Sequence, residues 1–394
     1  MAVKFASEVR WRISKRGLVL GPPSGDALLL EHPRAWQLPE LLSDDPSVEE
    51  LGERLGDPRG YLLARELEGA GIIVPSAPPG EPPTPEVSRR RRFSLTRSGI
   101  EVGGIDRLAE GFDRAVMPLL SRWPAKTAAI ALLIAGGLAL AAGEPTGPRV
   151  SSQPALDALL GLLLVLAGSF SHEFAHAVAL AHYGRRARRA GFGFYWGAIS
   201  FYVDSTEALT LPRRQRVIQA LVGLVVDLLV VAALAVIAQF SSSAFLTAVV
   251  WRVAMLGLIE IALNAAPVLE LDGHWALADY LDEPDLAHRA RQAFGDVLRR
   301  NKSSEAPGWL AVYGAVSIFG GLALLTAAVF GVWVASGDLL RALFTGDPGE
   351  VVIGIVVIGP FLIGILLNTL GMVLDAMLPD EIDENPAPVE LSPN

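Results

Sequence analysis

No cysteine occurs among the 394 residues. That excludes disulfides, thiolate metal ligands and a cysteine nucleophile, so any metal must be held by His, Asp or Glu. Charge is also sparse. Asp, Glu, Lys and Arg together make up 19%, against about 25% in soluble domains. Lysine is confined to Lys4, Lys15, Lys126 and Lys302, and histidine to six positions. What is abundant is apolar: 51% of the chain is hydrophobic and its mean hydropathy is +0.40. This balance points to a membrane protein. The net charge of −9 decides little, because placement matters more than the sum. The first 25 residues hold Arg10, Arg12, Lys15 and Arg16 without a long apolar run, so they do not form a secretory signal peptide.

Residues 1–76 read as a small α/β domain of winged-helix type. Val9 to Ser14 and Leu18 to Leu20 alternate with a period near two, as strands do. Ser47 to Glu50 is a capping box that starts a helix, and a second helix is expected from Asp57 to Leu67. A Pro- and Arg-rich linker follows over 77–100. Its run Arg89–Arg92 reads as a solvated linker end beside an anionic membrane surface rather than a nucleic-acid site. Within 101–122, Ile105, Leu108, Phe112, Val116 and Leu119 share one face of an amphipathic helix, expected at the membrane surface.

Six segments in 123–378 could span a bilayer core about 30 Å thick. They are Thr127–Ala142, Ala155–Tyr183, Val217–Phe240, Phe245–Leu263, Trp309–Ser336 and Val351–Met377. Arginine clusters fall in alternate connections, which places both termini in the cytoplasm. The acidic stretch 379–394 reads as a disordered tail. The expected fold is thus an α-helical polytopic membrane protein with a small cytoplasmic domain before it.

The second span ends in Ser171-His172-Glu173-Phe174-Ala175-His176. Helical positions i and i+4 share a face, so both imidazoles can reach one metal. Glu173 then stands beside that metal, where a general base is needed to activate water. Three ionisable groups in an apolar helix are costly unless they face a metal or a cavity; the bland alternative is a polar cluster joining helices. A third protein ligand is required. His182 has metzincin spacing, but Ala179 stands where that motif needs the turn-forming Gly. On a continuous helix His182 rises about 9 Å above His176, which makes it an interfacial residue. Asn264-Ala-Ala-Pro267-Val-Leu-Glu-Leu-Asp272-Gly273 offers the other candidate.

H-E-x-x-H on one membrane helix, followed by N-x-x-P and L-D-G after another, resembles the site-2 protease family of intramembrane metalloproteases. The stretch from Phe170 to Ala290 is most similar to bacterial putative peptide zinc metalloproteases. Its matching pieces are S-H-E-F-A-H-A-V-A-L, G-F-G-F-Y-W-G-A-I-S-F-Y-V-D, L-P-R-R-Q-R and L-D-G-H-W-A-L-A-D-Y-L. The resemblance implies one zinc per chain on His172, His176 and Asp272, Glu173 as base, and Asn264 near the substrate. It also implies a bacterial cytoplasmic membrane location. The family's G-P-x-x-N appears here as Gly223-Leu-Val-Val-Asp227, without the Pro and Asn. Asp227 is then a substrate-binding group or a partner of Arg252. His274 is a candidate fourth ligand or a partner of the ligand shell. Gly191 to Tyr202 resembles the family's membrane-associated β-hairpin, whose edge could take a substrate as an added strand.

The expected reaction is hydrolysis of peptide bonds in a membrane-associated or ribosomally made precursor peptide. Residues 1–76 more weakly resemble winged-helix elements that bind leader peptides, a purely structural domain being the alternative. The expected partners are therefore a peptide or membrane-protein substrate and the lipid bilayer, with no nucleic acid. The rival reading is a catalytically silent peptide-binding or immunity protein of the membrane.

Overall fold

A computed structural model describes residues 3–6, 9–21, 28–31, 34–55, 60–76, 93–96, 99–195, 198–283, 285–299 and 307–356. The arginine run at 89–92, the tail at 379–394 and most of the sixth expected span lie outside these residues. Of that span only 351–356 is described, and it is helical.

The N-terminal unit opens with β1 (Val3–Phe5), β2 (Arg10–Ile13), β3 (Leu18–Gly21) and β4 (Leu28–Leu30). Strands β2, β3 and β4 form an antiparallel sheet in that order. Helices α1 (Leu38–Leu41), α2 (Val48–Leu55) and α3 (Gly60–Gly69) follow, and β5 (Ile73–Pro75) returns to pair with β1. Helix α2 starts where the capping box predicts. Ser47 Oγ accepts from the Glu50 amide at 3.1 Å, and Glu50 Oε2 accepts from the Ser47 amide at 2.9 Å. Leu18, Leu20, Leu38, Leu51, Leu55, Ile72 and Ile73 fill the core.

The expected linker over 77–100 is shorter than its composition suggests. β6 (Phe93–Thr96) and β7 (Gly99–Val102) form a hairpin that pairs with β8 (Ala190–Tyr195), which pairs in turn with β9 (Ala198–Val203). Gly191 allows this pairing. A Cβ there would lie 2.1 Å from the Ile100 carbonyl oxygen. Helices α4 (Ile105–Ala115) and α5 (Met117–Leu120) replace the single amphipathic helix, broken beside Pro118. Part of its apolar face is covered by protein. Ile105 and Ala109 pack against Ala177, Val178 and Leu180, while Leu108 stays exposed.

Five helices are long and apolar enough to cross a membrane. They are α6 (Trp123–Ala141), α7 (Pro154–His182), α8 (Arg213–Phe240), α9 (Ala244–Ala265) and α12 (Gly308–Thr345). Short helices α10 (Asp272–Leu281) and α11 (Leu286–Leu298) lie between the last two. Small residues set the crossings. A Cβ on Gly136 of α6 would lie 2.4 Å from Ala232 of α8, and one on Gly257 of α9 would lie 2.6 Å from Val231. Val231, Leu234, Ala238, Val249, Val253 and Ala254 close the α8–α9 seam.

Two buried ionic groups fix this frame. Arg252 pairs with the fully buried Asp157 at the start of α7 and donates to the Arg149 carbonyl. Arg252 is therefore not the partner of Asp227. On the opposite side Arg216, at 1% exposure, donates to Asp279 at 2.6 Å and to Asp282 at 2.9 Å. The N-terminal unit joins that group. Arg12 donates to Asp282 at 2.8 Å and Lys15 Nζ to the Leu281 carbonyl at 2.8 Å, while Arg16 reaches Asp285 at 3.2 Å.

Candidate metal centre

His172 and His176 stand one turn apart on α7, which runs unbroken through them to His182. Their Nε2 atoms are 3.2 Å apart. Asp272, the first residue of α10, brings Oδ2 to 2.9 Å from His172 Nε2 and 3.5 Å from His176 Nε2. A short loop after α9 makes this possible. Gly273 packs so tightly on the end of α9 that a Cβ would lie 2.3 Å from the Ala265 carbonyl oxygen. Tyr313 holds the loop from the other side, donating to the Pro267 carbonyl at 2.5 Å.

The far side of each imidazole is also engaged. His172 Nδ1 lies 2.7 Å from Asp227 Oδ2, and His176 Nδ1 lies 2.7 Å from the Gln219 carbonyl oxygen. A carbonyl can only accept, so His176 carries its proton on Nδ1 and its Nε2 presents a lone pair. A carboxylate behind His172 favours the same tautomer. Two nitrogen lone pairs and a buried carboxylate oxygen without a hydrogen bond then converge on one point. Such a convergence is repulsive unless a cation sits there. These three residues could hold a metal ion.

Helix α8 approaches this point through a glycine. A Cβ on Gly223 would lie 2.5 Å from His172 Nε2 and 2.7 Å from His176 Nε2. Glu173 stands beside the pair, its Oε2 accepting from the Val203 amide at 2.9 Å. Val203 ends β9, which has no second strand partner among the described residues. The Asp204 amide donates inward to the Arg189 carbonyl. Strand alternation therefore turns the main-chain groups of Ile199, Phe201 and Val203 toward the unpaired edge. Phe170, Phe174 and Phe201 form an aromatic bed under that edge.

The remaining expected site residues fall into place around this group. Asp227 backs His172 at 8% exposure. His274 is placed at the edge of this group. It lies outside the ligand group, its Nδ1 2.8 Å from the Tyr313 hydroxyl, where it steadies the loop before Asp272. Burial lowers its pKa. His182 pairs with Asp113 at 2.9 Å and is half exposed, in keeping with an interfacial residue. Asn264 is partly buried, the penultimate residue of α9. Sequence reasoning missed the Gln219 carbonyl, for which no side chain gives a signal. Comparison with known proteins finds no matching family model, no matching curated protein and no matching solved structure.

Proposed function

We propose that the chain is a membrane-embedded zinc metallopeptidase, as its resemblance to the site-2 protease family implies. The observation that carries the reading is the convergence of His172, His176 and Asp272 beside Glu173, at the end of a strand with no second strand partner among the described residues. A tetrahedral ion with bonds of about 2.0–2.1 Å needs ligand atoms about 3.3 Å apart. The three separations here, 3.2, 2.9 and 3.5 Å, fit that requirement. Two nitrogens and one carboxylate leave a fourth position open, as a catalytic centre requires.

Zinc, when bound there, supplies the Lewis acidity that polarises a carbonyl and lowers the pKa of water. The chain supplies the rest. A peptide added along β9 is held extended by main-chain groups, with its side chains alternately toward the aromatic bed and away from it. The edge ends at Val203, so the peptide backbone is delivered to Glu173. Water adds to the scissile carbonyl carbon as its proton passes to the Glu173 carboxylate. Glu173 then gives that proton to the amide nitrogen, the C–N bond breaks, and a carboxylate and an amine are released. Asp227 and the Gln219 carbonyl keep the imidazoles in the ligating tautomer.

Glu173→Gln tests this reading. It preserves shape and removes the base, so folding and metal content should survive while hydrolysis falls by about 10²–10⁴. Mass spectrometry of a candidate precursor incubated with each protein reads the outcome. Equal fragment yields from wild type and variant would show that cleavage does not use this site.

A further inference from the structure

Side chains close the outward edge of β9. Antiparallel alternation sends the main-chain groups of Phe201 and Val203 to the side away from β8, and no second strand meets them among the described residues. Two caps stand in for a strand. Ser200 Oγ donates to the Phe201 carbonyl at 3.0 Å and lies 3.0 Å from Ser169 Oγ on α7. One turn along α7 from Ser169, Glu173 Oε2 accepts from the Val203 amide at 2.9 Å. Ser200, Tyr202 and Val203 stay partly exposed, so α7 caps the edge without enclosing it. Such capping keeps an edge from pairing with the wrong chain. Any polar side chain could serve that purpose. Here the second cap is the carboxylate next to the metal ligands, and it is turned to the strand, outside the group of ligand atoms.

We propose that the Val203 amide is the specificity-determining group of this centre, shared between Glu173 and the substrate. At rest it holds Glu173. A peptide that adds along β9 takes the amide with one of its own carbonyls and so releases the carboxylate. The inference rests on the peptidase reading above, whose base is the group released. Binding and activation become one exchange of acceptors on a single N–H. The exchange sets a length requirement. A carboxylate is a stronger acceptor than a neutral carbonyl, so one amide by itself does not displace it. A longer peptide does, because it gains ladder bonds at Phe201 and Ile199 in the same step. The substrate class is therefore a peptide that lies extended over several residues beside its scissile bond. Small amides that span none of the edge leave Glu173 held and are cleaved poorly.

The test uses the full-length, zinc-loaded protein in lipid nanodiscs. Its probes are a decapeptide selected from a randomised library for cleavage by wild type, and the tripeptide around its scissile bond. Affinity is compared in two variants without the base. Glu173→Gln keeps a neutral acceptor on the Val203 amide, and Glu173→Ala leaves that amide free. Glu173→Ala should bind the decapeptide about threefold to tenfold tighter, the worth of one neutral hydrogen bond, and the tripeptide no tighter. Val203→Pro removes the N–H at an edge position that carries no ladder bond, where proline is tolerated. In that background the gain should vanish. With Glu173 intact, Val203→Pro should raise kcat on the tripeptide and erase the preference for the decapeptide, and Val203→Ile, which restores the amide, should regain it. Equal decapeptide affinity in Glu173→Ala and Glu173→Gln, alongside Glu173-dependent fragments from wild type, would overturn the proposal and leave the peptidase reading standing. So would a kcat lowered by Val203→Pro on both peptides alike, which marks an amide that only positions the base. Zinc content shows whether Val203→Pro folds; where it does not, the affinity comparison decides. A wild type that yields no Glu173-dependent fragments would overturn the peptidase reading, and with it the release of a base.

Discussion

A single missing Cβ decides how close α8 can come to the imidazoles. Gly223→Ala should therefore empty the metal centre, although alanine favours a helix over glycine by about 1 kcal/mol. Metal analysis together with thermal unfolding separates the two effects: metal content falls while the helical signal is kept. Asp227→Asn should be milder, because the amide preserves a contact to His172 and loses the charge. Removal of such a supporting partner typically lowers metal affinity 10- to 100-fold, which a competition titration with a chelator measures. His182→Ala should leave metal content unchanged, because its partner is Asp113. Loss of metal on that change alone would shift the third ligand away from Asp272.

Among the elements, the Asp157–Arg252 pair stitches the start of α7 to α9. Breaking one partner of a buried pair costs about 3–5 kcal/mol, whereas replacing both by apolar groups is often neutral. Arg252→Met alone should lower the unfolding midpoint strongly, and Asp157→Leu with Arg252→Met should restore most of it. Sequence reading offered Arg252 as a partner of Asp227 and did not single out Asp157, since hydropathy gives depth and not the helix opposite. The same limit explains Asp227, whose partner His172 is 55 positions away. By contrast His172 and His176 were legible because a helix repeats every 3.6 residues and puts them on one face, and Glu173 because it adjoins one of them. The capping box at Ser47 was legible for a similar reason: its whole chemistry lies within four residues. Strands β6 and β7 were not. The partner of β7, β8, lies some 90 residues further along, and a Pro- and Arg-rich stretch precedes the hairpin.

At the scale of the whole molecule, cysteine labelling of this cysteine-free chain tests how it sits in a bilayer. Alternate arginine-rich connections predict that positions near 205 and 295 react from the cytoplasmic side and a position near 147 from the outside. External labelling near 295 would refute the arrangement. The contact between the N-terminal unit and α10 adds a dependence on acidity. Burial pushes the Asp282 carboxyl up, but Arg12 and its other partners pull it below its usual value. The unfolded carboxylate titrates near 3.9. Its contribution to docking is therefore complete above about pH 4 and fades as the pH falls through the lower folded value. Crosslinking between Lys15 and the α10 end should hold constant from pH 7 to 5 and drop only below 4.

Helix α10 has Asp272 at its first residue and, at its other end, Asp279 and the adjoining Asp282, which meet Arg216 and Arg12. A ten-residue helix is a rod about 15 Å long. Composition marks a cut point near residue 92, as if the first quarter of the chain could be removed at will. The rod makes that cut an amputation of its footing. A deletion starting there would strip Arg12 from Asp282 and Lys15 from Leu281, leaving carboxylates beside Arg216 that water must satisfy. Lost cleavage in such a truncation would therefore say nothing about peptide recognition unless metal retention were measured alongside it. Point changes on the exposed face of residues 1–76 test recognition without disturbing the anchorage of the ligand.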